Sequence, residues 1–145
     1  MVYIYSDVHE LIVKCLGQNQ TEHGGILGAR PGEAISEFYF DYSGKSTKDS
    51  YTPDCDRIND ILENEWFPKG VYMVGLIHSH DASCIFPSCG DLLYAERIYR
   101  SLDIDDDFYI PIFNIETSQI HWYSIKKQVN GSLKIKEEQV KYQLR

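Results

Sequence analysis

Positive charge is scarce in this chain: 14 lysines and arginines stand against 22 aspartates and glutamates over 145 residues, a formal net charge of −8. That balance argues against a nucleic-acid partner, which calls for a basic patch along the phosphates. It favours a basic peptide instead, although solubility alone accounts for an acidic surface. Long apolar runs are also missing. No stretch approaches the roughly 20 residues that span a bilayer. The opening MVYIYSDVHE lacks the basic flank of a secretory leader. The expectation is a cytoplasmic protein with no membrane contact. The four cysteines, Cys15, Cys55, Cys84 and Cys89, form no C-x-x-C pair, and they read as free thiols of a reducing compartment. Internal repeats and low-complexity linkers are absent too.

What remains is an ordinary globular composition, 43% hydrophobic and 25% charged, in keeping with one domain over residues 1–145. Val2–Tyr5 reads as an edge strand. Asp7 then caps a helix with Val8, Leu11, Ile12, Cys15 and Leu16 at helical spacing, closed by Gly17 and the polar residues 18–20. Residues 24–30 and 35–42 form a hairpin about Pro31-Gly32, and residues 43–52 a polar loop. A helix starts at Pro53 and carries Cys55, Ile58, Ile61, Leu62 and Trp66 on one face. A buried strand follows. The helix from Ser88 has a core stripe of Leu92, Leu93, Ala95, Ile98, Tyr99 and Leu102. The acidic residues 103–107 lack the glycine and final glutamate of a calcium-binding EF-hand loop, so they read as a solvated turn. Strands at 108–115 and 120–126 lead to an Asn130-Gly131 turn and a lysine-bearing strand at 133–142. The fold class is α/β: a single-domain sandwich of strands and three helices.

The stretch with chemical content is residues 74–91, VGLIHSHDASCIFPSCGD. Residues i and i+2 of a strand leave from one face, so His78 and His80 at the end of the apolar run project side by side. Ser88 and Asp91 have the spacing of a helix N-cap and its first-turn acid. If the loop folds back, the Asp91 carboxylate reaches the two imidazoles. Two nitrogens and one oxygen bind a tetrahedral zinc and leave its fourth position open for water, the mark of a catalytic site. Taken singly, each piece is mundane: His-x-His more often ends a solvated strand, and most capping boxes only cap. Their conjunction should arise by chance in roughly one chain in a thousand. Cys84 and Cys89 flank this loop and could add ligands or a redox pair, but incidental thiols are the simpler reading. His23 alternates to the opposite strand face from its neighbour, and His9 and His121 read as surface or half-buried residues.

An acid is available as a base. Glu22 precedes the glycine-punctuated run Gly25-Ile26-Leu27-Gly28. Glu22 before that strand, then His78-Ser79-His80, seven residues, Ser88, two residues and Asp91, resembles the JAMM (MPN or JAB-domain) zinc metalloproteases. Asp81 departs from the pattern, where a proline usually follows the second histidine, while Pro87 agrees with it. The resemblance implies a cytidine-deaminase-like central mixed sheet flanked by helices on both faces. It also implies one Zn²⁺ per chain, held by His78, His80 and Asp91.

The reaction implied is cleavage of peptide or isopeptide bonds after the C-terminal glycine of ubiquitin or a ubiquitin-like protein. Glu22 is the general base, and the Ser88 hydroxyl a donor to the oxyanion. The partners implied are a ubiquitin-like protein or its conjugates and E1/E2-like proteins of the same system. The short chain is closest to the compact prokaryotic branch, with residues 43–52 bordering the substrate groove. Three rivals stand beside this reading. One releases amino acids or adducts from ubiquitin-fold sulfur carriers. A second is an inactive scaffold of the same fold. The third is a zinc deaminase, for which the P-C-x-x-C ligand pair is missing.

Overall fold

The computed structural model describes residues 1–18, 21–47, 50–81, 85–102 and 106–145. The readings of residues 19–20, of Cys84 and of 103–105 lie outside the described residues. In chain order the elements are β1 (Val2–Tyr5), α1 (Ser6–Gly17), β2 (Gly24–Ala29), β3 (Glu37–Phe40), β4 (Lys45–Ser46), β5 (Tyr51–Thr52) and α2 (Cys55–Ile61). Then come β6 (Tyr72–His80), α3 (Cys89–Leu102), β7 (Phe108–Tyr109), β8 (Ile112–Asn114), β9 (Gln119–His121), β10 (Tyr123–Lys127), β11 (Leu133–Glu137) and β12 (Val140–Gln143). After α2 the chain passes through a π-turn at Leu62–Trp66 and a 3-10 turn at Phe67–Lys69, ended by Gly70 at φ 74°.

The main sheet runs β11-β10-β7-β6-β2-β3, with β8 and β9 continuing it beside β6. The long central strand β6 is antiparallel to β2 and parallel to β7 and β8, so the sheet is mixed. Alternation along β2 and β6 divides the core into two layers. Ile26 and Leu76 pack with Ile58 and Ile61 of α2 and with Ala95 and Tyr99 of α3. Leu27 and Ile77 pack with Val8, Ile12 and Leu16 of α1. A central mixed sheet covered by helices on both faces is the α/β architecture expected.

Several local expectations are corrected. Asp7 does not cap α1: the helix begins at Ser6 without a side-chain cap, and the Asp7 carboxylate pairs with Arg145 at 3.0 Å. The second helix starts at Cys55 rather than Pro53, because Asp54 is the residue whose carboxylate accepts from the Arg57 amide. The stripes are narrower than read: Leu11 and Leu93 are 43% and 64% exposed, each one step round the helix from the buried line. Cys55, read with the second helix's core face, is exposed as well.

The expected strand at 108–115 is broken at Ile110-Pro111. Proline has no N–H for the ladder, and Ile110 instead donates across to Tyr123 O at 2.9 Å. The strand read at 120–126 divides at the same level into β9 and β10. The tail read as one strand turns at Glu138, and β12 crosses to run parallel with β1.

Candidate metal centre

The parity that sorts the core also builds the site. Leu76, His78 and His80 share the face of β6 that α3 covers, whereas Ile77 turns toward α1. Asp91 lies in the first turn of α3. Laying α3 on that face therefore brings a carboxylate to two imidazoles that left the sheet side by side. The start of the helix is fixed by a reciprocal capping box: Asp91 N donates to Ser88 Oγ at 3.1 Å, and Ser88 N donates to Asp91 Oδ2 at 2.8 Å.

The same Oδ2 stands 3.0 Å from His78 Nε2 and 2.9 Å from His80 Nε2. The two Nε2 atoms are 2.9 Å apart. The three potential ligand atoms thus form a nearly equilateral triangle on side chains that are 11%, 7% and 24% exposed. Burial would push the Asp91 carboxyl up. Hydrogen bonds from both imidazoles and the Ser88 amide outweigh it and hold the group well below the usual carboxylate range.

This donor set fits a metal. A neutral imidazole carries one N–H and one lone pair; with the proton on Nδ1, each Nε2 turns its lone pair into the triangle beside Asp91 Oδ2, giving three donors that one cation can join. Around tetrahedral zinc with bonds of about 2.0–2.1 Å, ligand atoms are about 3.3 Å apart. The observed triangle needs to open only by about 0.3–0.4 Å to match that spacing. His78, His80 and Asp91 are the group among the described residues that could hold an ion. Cys89, although it opens α3, is exposed and outside that group.

The triangle faces a cavity of about 500 Å³, whose wall also includes Glu22, Asp81, Ser88 and Tyr51. The structure therefore brings together all five residues singled out in the sequence. Ser88 Oγ accepts from the Asp91 amide, which leaves its O–H able to donate elsewhere. His23 turns away: its Nδ1 is 3.0 Å from Thr21 O, and its ring stacks on Phe40 at 5.7 Å, in the layer of α1.

Ser50, Tyr51 and Thr52 of the segment that the resemblance placed beside the substrate groove also line the cavity, together with Tyr94 and Leu76, to which sequence reasoning gave no part in the site. Tyr51 belongs to the β4–β5 hairpin, which lies in the segment read as a polar loop. Burial pushes its phenol well above the ordinary range, reinforced by the Asp41 carboxylate, so the hydroxyl stays a donor. A signal was available in the doublet Gly24-Gly25: a Cβ on Gly24 would come within 2.5 Å of the Tyr51 ring.

No protein-family model and no curated protein sequence matches the chain. Solved structures do. The solution structure of protein DSY2949 from Desulfitobacterium hafniense superposes with a TM-score of 0.70 at 19% identity, over 100% of this chain and 94% of that one. The crystal structure of AF2198, a JAB1/MPN domain protein from Archaeoglobus fulgidus, gives 0.54 at 18% identity over 98% of both chains. At these identities the likeness establishes the fold, which is of the JAB1/MPN type. Among the described residues no helix is long and apolar enough to cross a membrane.

Proposed function

We propose that this protein is a zinc-dependent isopeptidase or peptidase that cleaves after the C-terminal glycine of a ubiquitin-like protein. One observation carries the reading: His78 Nε2, His80 Nε2 and Asp91 Oδ2 converge at the wall of a cavity that Glu22 and Ser88 also line. The fold and the resemblance of these residues to the JAMM pattern support it. Zinc held by those three residues would supply Lewis-acid polarisation of the scissile carbonyl and acidify the attacking water.

The chain's own groups account for the rest. Glu22 takes the proton of the attacking water and returns it to the departing amine. Ser88 uses its oxygen to cap α3 and its O–H to meet the oxyanion. Asp91, bonded to the Ser88 amide, ties that helix start to the histidines. The β4–β5 hairpin forms one wall, where a narrow, glycine-ended tail can lie extended against it.

The test is cleavage of fusions whose ubiquitin-like part ends in Gly-Gly. Turnover by the zinc-loaded protein is expected, with loss when the last glycine becomes valine. Rates should fall as salt rises for tails carrying arginine, given the acidic surface. Cleavage of unstructured peptides without preference for Gly-Gly would point to a general peptidase. No cleavage of any substrate by a zinc-loaded protein would point to a scaffold.

A further inference from the structure

Tyr51 joins parts of the site that are distant in sequence. Its ring lies over Gly24, where an added Cβ would come within 2.5 Å of Cε2, and against Gly44, where one would come within 2.6 Å of Cε1. Gly24 pairs with His78 across the β2–β6 ladder, and directly paired residues share a face of a sheet. The ring therefore occupies the histidine side of the sheet, beside the candidate ligands, where only a glycine leaves room for it.

The hydroxyl of Tyr51 donates to Asp41 Oδ2 at 2.6 Å, and the Asp54 amide donates to the same oxygen at 2.9 Å. Asp41 is 1% exposed and directly follows β3. Its own amide donates to Gly24 O at 3.0 Å, and its carbonyl accepts from the Gly44 amide at 3.3 Å. One buried residue thus ties together the first residue of β2, both ends of the hairpin segment and the start of α2. At its far end the hairpin reaches the acid: the Glu22 amide donates to Thr47 O at 3.1 Å, and the Thr47 amide to Ser50 O at 2.8 Å.

We propose that Asp41 is a positioning residue that, through Tyr51, seats the β4–β5 hairpin and thereby sets where Glu22 stands in the cavity. A purely structural role would cost stability and leave the site's geometry alone. A positioning role changes local protection at the hairpin and at Glu22, and turnover with it. The kinetic part of this inference rests on the hydrolase reading above; the protection part does not.

The test compares Tyr51→Phe, Asp41→Asn, Asp41→Ala and Gly44→Ala in the full chain with zinc added. Hydrogen exchange is followed in peptides covering residues 21–24 and 43–52, and kcat and KM are measured on a Gly-Gly fusion. Tyr51→Phe keeps the ring between its glycines and loses only the hydroxyl. Exchange in both segments should rise roughly tenfold, as loss of one ordinary hydrogen bond would give, with β6 and α1 still protected. kcat should fall by a similar factor at unchanged zinc content.

Asp41→Asn keeps an oxygen for the phenol and the Asp54 amide, so it should retain most of both properties; Asp41→Ala should not. Gly44→Ala, which crowds the same contact without removing a bonding group, should follow Tyr51→Phe. Exchange that is unchanged in the two segments, or that rises evenly over the whole chain, would overturn the proposal. So would kcat within twofold of an active wild type. If the wild type cleaves nothing, the hydrolase reading fails, and exchange at residues 21–24 still decides the positioning.

Discussion

At the scale of single residues, Asp91 has the most to do. Its Oδ2 caps the Ser88 amide and stands within 3.0 Å of both histidine nitrogens, so helix start and ligand set share one atom. Glu22 contributes no ligand atom to the triangle. Glu22→Gln should therefore keep full zinc and lose turnover, because an amide orients water but cannot accept its proton; near-normal activity would remove Glu22 as the base. Ser88→Ala should slow turnover by roughly 10²–10³-fold, as for one lost oxyanion donor. It should also lower stability by about 1 kcal/mol as a lost cap. Steady-state kinetics and a urea titration separate the two effects, and a fall in stability alone would leave Ser88 as a cap only.

At the scale of elements, the site follows from the parity of β6 and the placement of α3. What was legible in the sequence is what depends on local spacing: His78 and His80 on one strand face, Ser88 and Asp91 as a capping pair, Glu22 ahead of a glycine-bearing strand. The bond from Tyr51 to Asp41 was not legible, since it joins a hairpin to the end of another strand and no periodicity reports it. Pro111 did carry a warning, for a proline inside a strand pattern marks a break, and the ladder divides there. Asp7 failed as a cap because its carboxylate found Arg145, a partner at the far end of the chain. The glycine opposite His78 gives a prediction at this scale. Gly24→Ala would place a Cβ 2.5 Å from the Tyr51 ring and 2.6 Å from Ile77 O. It should cost about 1–3 kcal/mol by overpacking, measured by denaturant unfolding; a neutral effect would mean the ring is not seated over β2.

At the scale of the whole molecule, two core layers are closed on one flank by the C-terminal strands. Glu138, its side chain 5% exposed, accepts from Ser124 Oγ at 2.8 Å and pairs with Lys136 at 3.2 Å. Burial pushes this carboxyl up, but hydrogen bonds from the amino terminus, Ser124 and Lys136 outweigh it and hold it below its ordinary 4.5. A depressed folded value means stability that is fully present above that ordinary value and is lost as pH falls through the lower one. The urea midpoint should thus decline below about pH 4.5. Glu138→Gln should flatten that decline and remove about 1–2 kcal/mol at pH 7; an unchanged profile would assign acid sensitivity elsewhere. The lysines of this flank stand far along the chain from the ligand set. Whether the His78–His80–Asp91 triangle is a metal centre is tested most directly by metal analysis of the purified, zinc-equilibrated protein. One zinc per chain is expected in the wild type and in Glu22→Gln, with loss in His80→Ala and Asp91→Ala; equal zinc in all four proteins, or none in the wild type, would contradict a metal centre there.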